Sequence, residues 1–144
     1  FAKARLNELF SPDKLKSSVQ YTAGYFSNAV FINKGSLQFE LIALPYEAQL
    51  TEMRTAAVVD ANKDGLPDIL LGGNYYENNI EMGRYDAGYG ILLLNKGKGA
   101  FTTEALNGLT IKGQLRHVSP MMINKQPAYF LAMNNDSVRI IRFK

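Results

Sequence analysis

Cysteine is absent from the 144 residues, which removes zinc–thiolate sites, redox motifs and thiol nucleophiles in one step. It leaves the compartment open, since disulfides are an option rather than a requirement for exported chains. Histidine is nearly absent as well: His117 is the only one. No run of eighteen apolar residues occurs, so nothing in the sequence reads as a membrane-spanning helix. A charge bias is also missing. Sixteen Lys and Arg stand against thirteen Asp and Glu, giving +3, and the basic residues are scattered rather than gathered in a stripe, which argues against a nucleic-acid partner. The start at Phe1 shows neither a signal peptide nor an initiator methionine. The expectation is a piece of a longer exported chain, with any signal or lipid anchor upstream.

What is present is an ordinary globular composition, 47% hydrophobic and 20% charged. A chain of this length can bury roughly 68 to 70% of its unfolded surface, enough for a core without staples. Short apolar runs dominate, each of four to seven residues and bounded by Gly, Asn, Asp or Pro: 29–33, 39–44, 56–60, 68–73, 90–95, 129–133 and 138–143. These read as strands. One helix is expected near the start, where Ser11 can cap, Pro12 suits the first helical position and Asp13 favours the positive helix end.

The sequence repeats. "VFINKGSLQFELIAL" at 30–44 aligns with "LLLNKGKGAFTTEAL" at 92–106, placing Asn33, Lys34, Gly35 and Phe39 on Asn95, Lys96, Gly97 and Phe101. In the same register "NKDGLPDILLGGN" at 62–74 meets "NKQPAYFLAMN" at 124–134 once two residues are removed after Gln126. The second copy keeps the strands and loses the acids, so the work of the aspartates is expected to be separable from folding the sheet. Each "NKG" supplies the turn chemistry of an antiparallel hairpin. Two hairpins in a period of about sixty residues amount to one four-stranded propeller blade. The expected class is therefore all-β, about two blades of a β-propeller with one short N-terminal helix. The expected divisions are an N-terminal segment with helix and strand at 1–27, a partial blade at 28–49, a complete blade at 50–106 and a degenerate partial blade at 107–144. The complete blade carries a loop at 60–68 and an insertion at 75–89.

The loop is the chemical feature. Counted from Asp60, positions one, three, five and nine are Asp60, Asn62, Asp64 and Asp68, with Gly65 at six and the backbone carbonyl of Leu66 at seven. Alternate residues can turn oxygens onto one centre, and hard oxygen donors with three negative charges suit Ca²⁺, which accepts six to eight oxygens at about 2.3 to 2.6 Å. An EF-hand would need Glu at position twelve and flanking helices. Position twelve is Leu71, and both flanks are β-like.

On Asp60, Asn62, Asp64, Gly65, Asp68, the following "ILLGGN" and the later "NKGKGAF", the chain resembles the FG-GAP or VCBS repeat of integrin-α-like propellers and of exported bacterial (Bacteroidetes-type) proteins. The resemblance covers about 28–143 and is strongest over 58–101. It implies one structural Ca²⁺ held by Asp60, Asn62, Asp64, Leu66 and Asp68, and no second site, because the second copy keeps no acidic ligand. It also implies a non-enzymatic module for binding a protein or glycan, or for scaffolding, in the periplasm, at the outer membrane or on the cell surface. Its open blade edges would pair with the rest of a parent propeller or with another copy. The alternative it implies is part of a polysaccharide lyase or hydrolase, which would need paired carboxylates or a second metal.

The remaining candidates read as structural. In the insertion, Tyr75, Tyr76, Glu77, Glu81, Arg84, Tyr85, Asp86 and Tyr89 could face a ligand, but the favoured expectation is tyrosines packed over the blade with Arg84 paired to a carboxylate. Glu77 and Glu81 could share a helical turn as acid and base. His117 is expected to be a hydrogen-bonded structural residue, and Ser119 has no acid to complete a triad. No catalytic constellation emerges.

Overall fold

The computed structural model describes residues 2–104, 106 and 108–143. Among the described residues nine strands form three separate antiparallel sheets, none closed into a barrel. The first pairs β1 (Ala29–Gly35) with β2 (Gln38–Ala43). The second is a four-stranded meander of β3 (Met53–Val59), β4 (Asp68–Gly73), β5 (Ile91–Asn95) and β6 (Phe101–Glu104). The third has three strands, β7 (Leu115–Ile123), β8 (Gln126–Met133) and β9 (Arg139–Ile141). A 3₁₀ turn at Tyr46–Gln49 links the first sheet to the second. Among the described residues no helix is long and apolar enough to cross a membrane.

Period-two alternation decides how the sheets stack, because successive side chains leave a strand on opposite faces. One face of the middle sheet carries Ala57, Val59, Leu70, Leu92 and Leu94, which share a core with Leu115, Val118, Tyr129 and Leu131 of the third sheet. The other face carries Leu71 and Leu93, flanked by Ile69, Ile91 and Phe101, and packs on Leu44, Ala48 and Val30. The middle sheet is thus covered on both faces, which explains why β4 and β5 read as continuous apolar runs rather than as alternating ones. The joint to the third sheet is close: a Cβ on Gly72 would lie 2.3 Å from Leu115 Cδ2, and Thr55 Oγ1 accepts the Val118 N–H at 3.1 Å.

The turns have the chemistry the repeat implies. Asn33 Oδ1 accepts the Gly35 N–H and Asn95 Oδ1 accepts the Gly97 N–H, each at 2.8 Å, so the two "NKG" segments close by the same Asx turn. The β7–β8 connection is a two-residue turn at Asn124 and Lys125, with φ of 51° and 63°, the left-handed pair that a tight hairpin favours.

The N-terminal segment differs from expectation in two ways. Two short helices form, α1 (Leu6–Leu9) and α2 (Pro12–Ser17), where one was expected. Pro12 takes the first helical position of α2, but the Ser11 side chain makes no capping hydrogen bond. No strand forms in residues 2–27. Val19, Tyr21 and Phe26 are 75%, 91% and 86% exposed. A strand exists only through a partner's hydrogen bonds, and among the described residues this stretch has none.

Candidate functional site

The β3–β4 loop opens after Val59, and its first half is organised by its own backbone. Asp60 Oδ2 accepts the Gly65 N–H at 3.2 Å, Asn62 Oδ1 accepts the Asp64 N–H at 3.1 Å, and Asp64 Oδ1 accepts the Leu66 N–H at 2.8 Å. Each of these side chains bonds a backbone amide of its own loop while remaining exposed to solvent. The path requires left-handed backbone at Lys63 and Gly65, with φ of 61° and 81°. A glycine takes that conformation without steric cost, and a β-carbon at position 65 would be strained. Asn62 Nδ2 donates to Asp64 Oδ2 at 2.8 Å, so an amide proton supplies the positive partner of that carboxylate.

Asp64 is held below its ordinary carboxylate value, first by the Leu66 N–H, then by the Asn62 amide, against desolvation, with a smaller contribution from the nearby Lys96 charge. Asp64 therefore stays anionic below the usual carboxylate range. Asp60 lies toward the third sheet: burial first, and the Asp60 charge second, raise the Tyr129 phenol.

Asp68 behaves differently from the other three ligand candidates. It is fully buried, and its carboxylate accepts two backbone amides, Ala61 N–H on Oδ2 and Asn95 N–H on Oδ1, both at 2.9 Å. Asn95 Nδ2 also donates to the Pro67 carbonyl at 3.1 Å. One side chain thus ties the start of the acidic loop to the end of β5. For Asp68 the expected separation between acid and fold does not hold. The shortened β7–β8 turn explains how the second copy manages without it: a two-residue turn leaves no loop amides to satisfy.

The donor set fits a hard divalent cation. Asp60, Asn62, Asp64, the Leu66 carbonyl and Asp68 offer oxygen alone, and each hydrogen-bonded oxygen keeps a further lone pair. Among the described residues no three His, Cys, Asp or Glu side chains form a group able to hold an ion. Holding an ion there would require these side chains to move onto a common centre.

The insertion is a strut, and its residues depart from expectation. Tyr75 and Tyr85 exchange backbone hydrogen bonds at 2.9 Å. Arg84 lies 4.9 Å over the Tyr76 ring, where a carboxylate partner was expected, and Arg54 lies over Tyr75 at the same distance. Tyr85, Asp86 and Tyr89 are exposed. No helix forms at 77–81, so Glu77 and Glu81 do not share a helical face. Glu77 Oε1 instead accepts Arg116 Nη2 at 2.9 Å, Asn134 Nδ2 at 3.0 Å and Gln114 Nε2 at 3.2 Å.

Desolvation acts to raise the Glu77 carboxyl, and the bonds from Gln114 and Arg116 outweigh it and hold it below its usual value. A depressed carboxylate contributes stability above its unfolded value of about pH 4.3, and the contribution is lost as pH falls through the lower folded value. Urea midpoints of wild type and Glu77→Gln are therefore expected to differ at about pH 6 and to converge toward about pH 3. A difference independent of pH would refute this role.

His117 stands exposed on β7 opposite Ala132, and among the described residues its side chain makes no hydrogen bond, where a hydrogen-bonded structural residue was expected. Asn74 is a further constrained polar residue, not among the candidates read from the sequence. It is 2% exposed with φ of 80°. Its Nδ2 donates to the carbonyls of Gly88 at 2.7 Å and Gly113 at 2.9 Å, and its Oδ1 accepts the Gly88 N–H at 2.9 Å. It clamps both the end of the insertion and the approach to β7. A signal was available: Asn74 aligns with Asn134, and both backbone amides bond equivalent carbonyls, those of Glu52 and Gln114.

No family model matches the chain, and neither a curated protein nor a solved structure matches it.

Proposed function

We propose that the chain is a calcium-stabilised repeat module of the FG-GAP or VCBS type. Residues 50–106 form one complete propeller blade, and partial blades stand on either side. It acts by binding or scaffolding in the periplasm or at a bacterial surface rather than by catalysis. The observation that carries the reading is the loop between β3 and β4, in which Asp60, Asn62 and Asp64 each accept a backbone amide of the loop itself. A four-stranded meander packed on the third sheet through one face and on Val30, Leu44 and Ala48 through the other supports the propeller part.

In this reading Asp60, Asn62, Asp64 and the Leu66 carbonyl hold the ion, with Asp68 bracing the loop from beneath. The ion supplies positive charge among carboxylates that otherwise repel, which fixes the hairpin at the sheet margin. A site of the extracellular class, with Kd of about 10⁻⁴ to 10⁻³ M, would contribute about 1.4 to 2.7 kcal/mol at ~10 mM Ca²⁺. That corresponds to a rise in melting temperature of roughly 4 to 10 °C. Thermal unfolding in excess chelator and in Ca²⁺ tests it, with Asp60→Asn and Asp64→Asn losing the rise. An identical midpoint in both media would refute the proposal.

A further inference from the structure

Of the aspartates in the chain only Asp64 is followed by glycine. A glycine sets no side chain against the aspartyl carboxyl and leaves its own backbone freer than any other residue does. Its nitrogen can then reach the aspartate Cγ and close a five-membered ring. Asp64 and Gly65 are both exposed, so water reaches the pair. Apart from its two chain neighbours, no atom lies within 4 Å of where a Cβ on Gly65 would stand, so nothing packs against the glycine.

The loop also places a group on each atom that such a ring closure changes. Asp60 Oδ2 accepts the Gly65 N–H at 3.2 Å, so a carboxylate stands on the proton that the attacking nitrogen must lose. The Leu66 N–H donates to Asp64 Oδ1 at 2.8 Å, on the oxygen that gains negative charge as the nitrogen adds. Asn62 Nδ2 donates to Asp64 Oδ2 at 2.8 Å, on the oxygen that departs.

We propose that Asp64 and Gly65 form a self-modification site, at which the ion-free loop converts its own Asp64 to isoaspartate. Gly65 N bonds to Asp64 Cγ, and Oδ2 leaves as water with the Gly65 amide proton, carried by Asp60, and one proton from solvent. Water then opens the succinimide. Attack at Cγ restores Asp64, whereas attack at the Asp64 main-chain carbonyl carbon routes the backbone through Cβ and Cγ and leaves the carboxylate on Cα. No oxidant or cofactor is consumed. The product has one more methylene in its backbone and a displaced carboxylate, so the loop no longer offers the same set of oxygens. An ion held by Asp60 and Asp64 opposes the step; that protection rests on the calcium reading, and the ring closure does not.

The test is site-resolved peptide mapping of the full chain after several days at neutral pH, in excess chelator, in Ca²⁺, and unfolded in urea. Isoaspartate at position 64 is recognised by unchanged mass, shifted elution and resistance to a protease that cuts at aspartate. In chelator the folded chain is expected to convert about tenfold faster than the unfolded one, and Asp60→Asn, its fold checked by circular dichroism, to lose most of that advantage. At ~10 mM Ca²⁺ a site with Kd of about 10⁻³ M or tighter is ion-free about a tenth of the time or less, so conversion is expected to slow about tenfold or more. Isoaspartate that is absent from position 64, or that forms no faster in the folded chain than in the unfolded one, would overturn the proposal. So would an Asp60→Asn chain that converts as fast as wild type. Equal conversion with and without Ca²⁺, the folded chain still being the faster, would support the isomerisation and contradict the calcium reading instead.

Discussion

Asn74→Ala is expected to destabilise the fold by about 3 to 5 kcal/mol, the largest effect of any single polar substitution here. The amide is 2% exposed and serves three backbone groups, Gly88 N–H, Gly88 C=O and Gly113 C=O. Removing it leaves all three without that partner, and each such group costs about 1 to 3 kcal/mol. The backbone adds to this, because φ of 80° is tolerated by Asn far better than by Ala. Asn74→Gly separates the two contributions: it relieves the backbone strain and leaves the orphaned groups, so it should recover only about 1 kcal/mol. Chemical denaturation of the three proteins checks this. An alanine variant within about 1 kcal/mol of wild type would show that the clamp is not needed.

Asp68→Ala is expected to cost about 2 to 5 kcal/mol whether or not calcium is present, since it strands the Ala61 and Asn95 amides beneath the loop. Asp68→Asn should fall between, keeping one acceptor oxygen and turning an amide group toward a donor. Asp60→Asn and Asp64→Asn should behave in the opposite way. Both residues are exposed, and in chelator each change should stay within about 0.5 kcal/mol of wild type. The four carboxylate-site variants, melted with and without Ca²⁺, therefore divide into two at Asp68 that weaken the hairpin and two at Asp60 and Asp64 that break only its response to the ion. If all three positions respond alike, the division between brace and ligand is wrong.

Much of the architecture was legible because strand alternation and turn chemistry are local properties. The run 68–73 coincides with β4, and the internal alignment of Asn33 with Asn95 reappears as two identical Asx turns. The loop residues were legible as a set because their spacing is itself the signal. Their unequal roles were not: that Asp68 is buried under two amides depends on where β5 ends, and nothing near residue 68 encodes the position of Asn95. The same holds for Glu77, whose partners lie 37 to 57 residues away. The insertion was misread for a related reason, since a ring can satisfy Arg84 as well as a carboxylate can and the sequence offers both. Val19 to Tyr25 carry strand periodicity without forming a strand, because periodicity states which face wants burial and not whether a neighbour is there to bury it.

The most direct measurement is a calorimetric titration of Ca²⁺ into the chelator-stripped protein, repeated with Asp60→Asn/Asp64→Asn. The account predicts one saturable site per chain with Kd of about 10⁻⁴ to 10⁻³ M, absent from the double variant although that variant keeps its β-sheet circular dichroism. Binding that is undetectable at ~10 mM Ca²⁺, or that persists unchanged in the double variant, would contradict it.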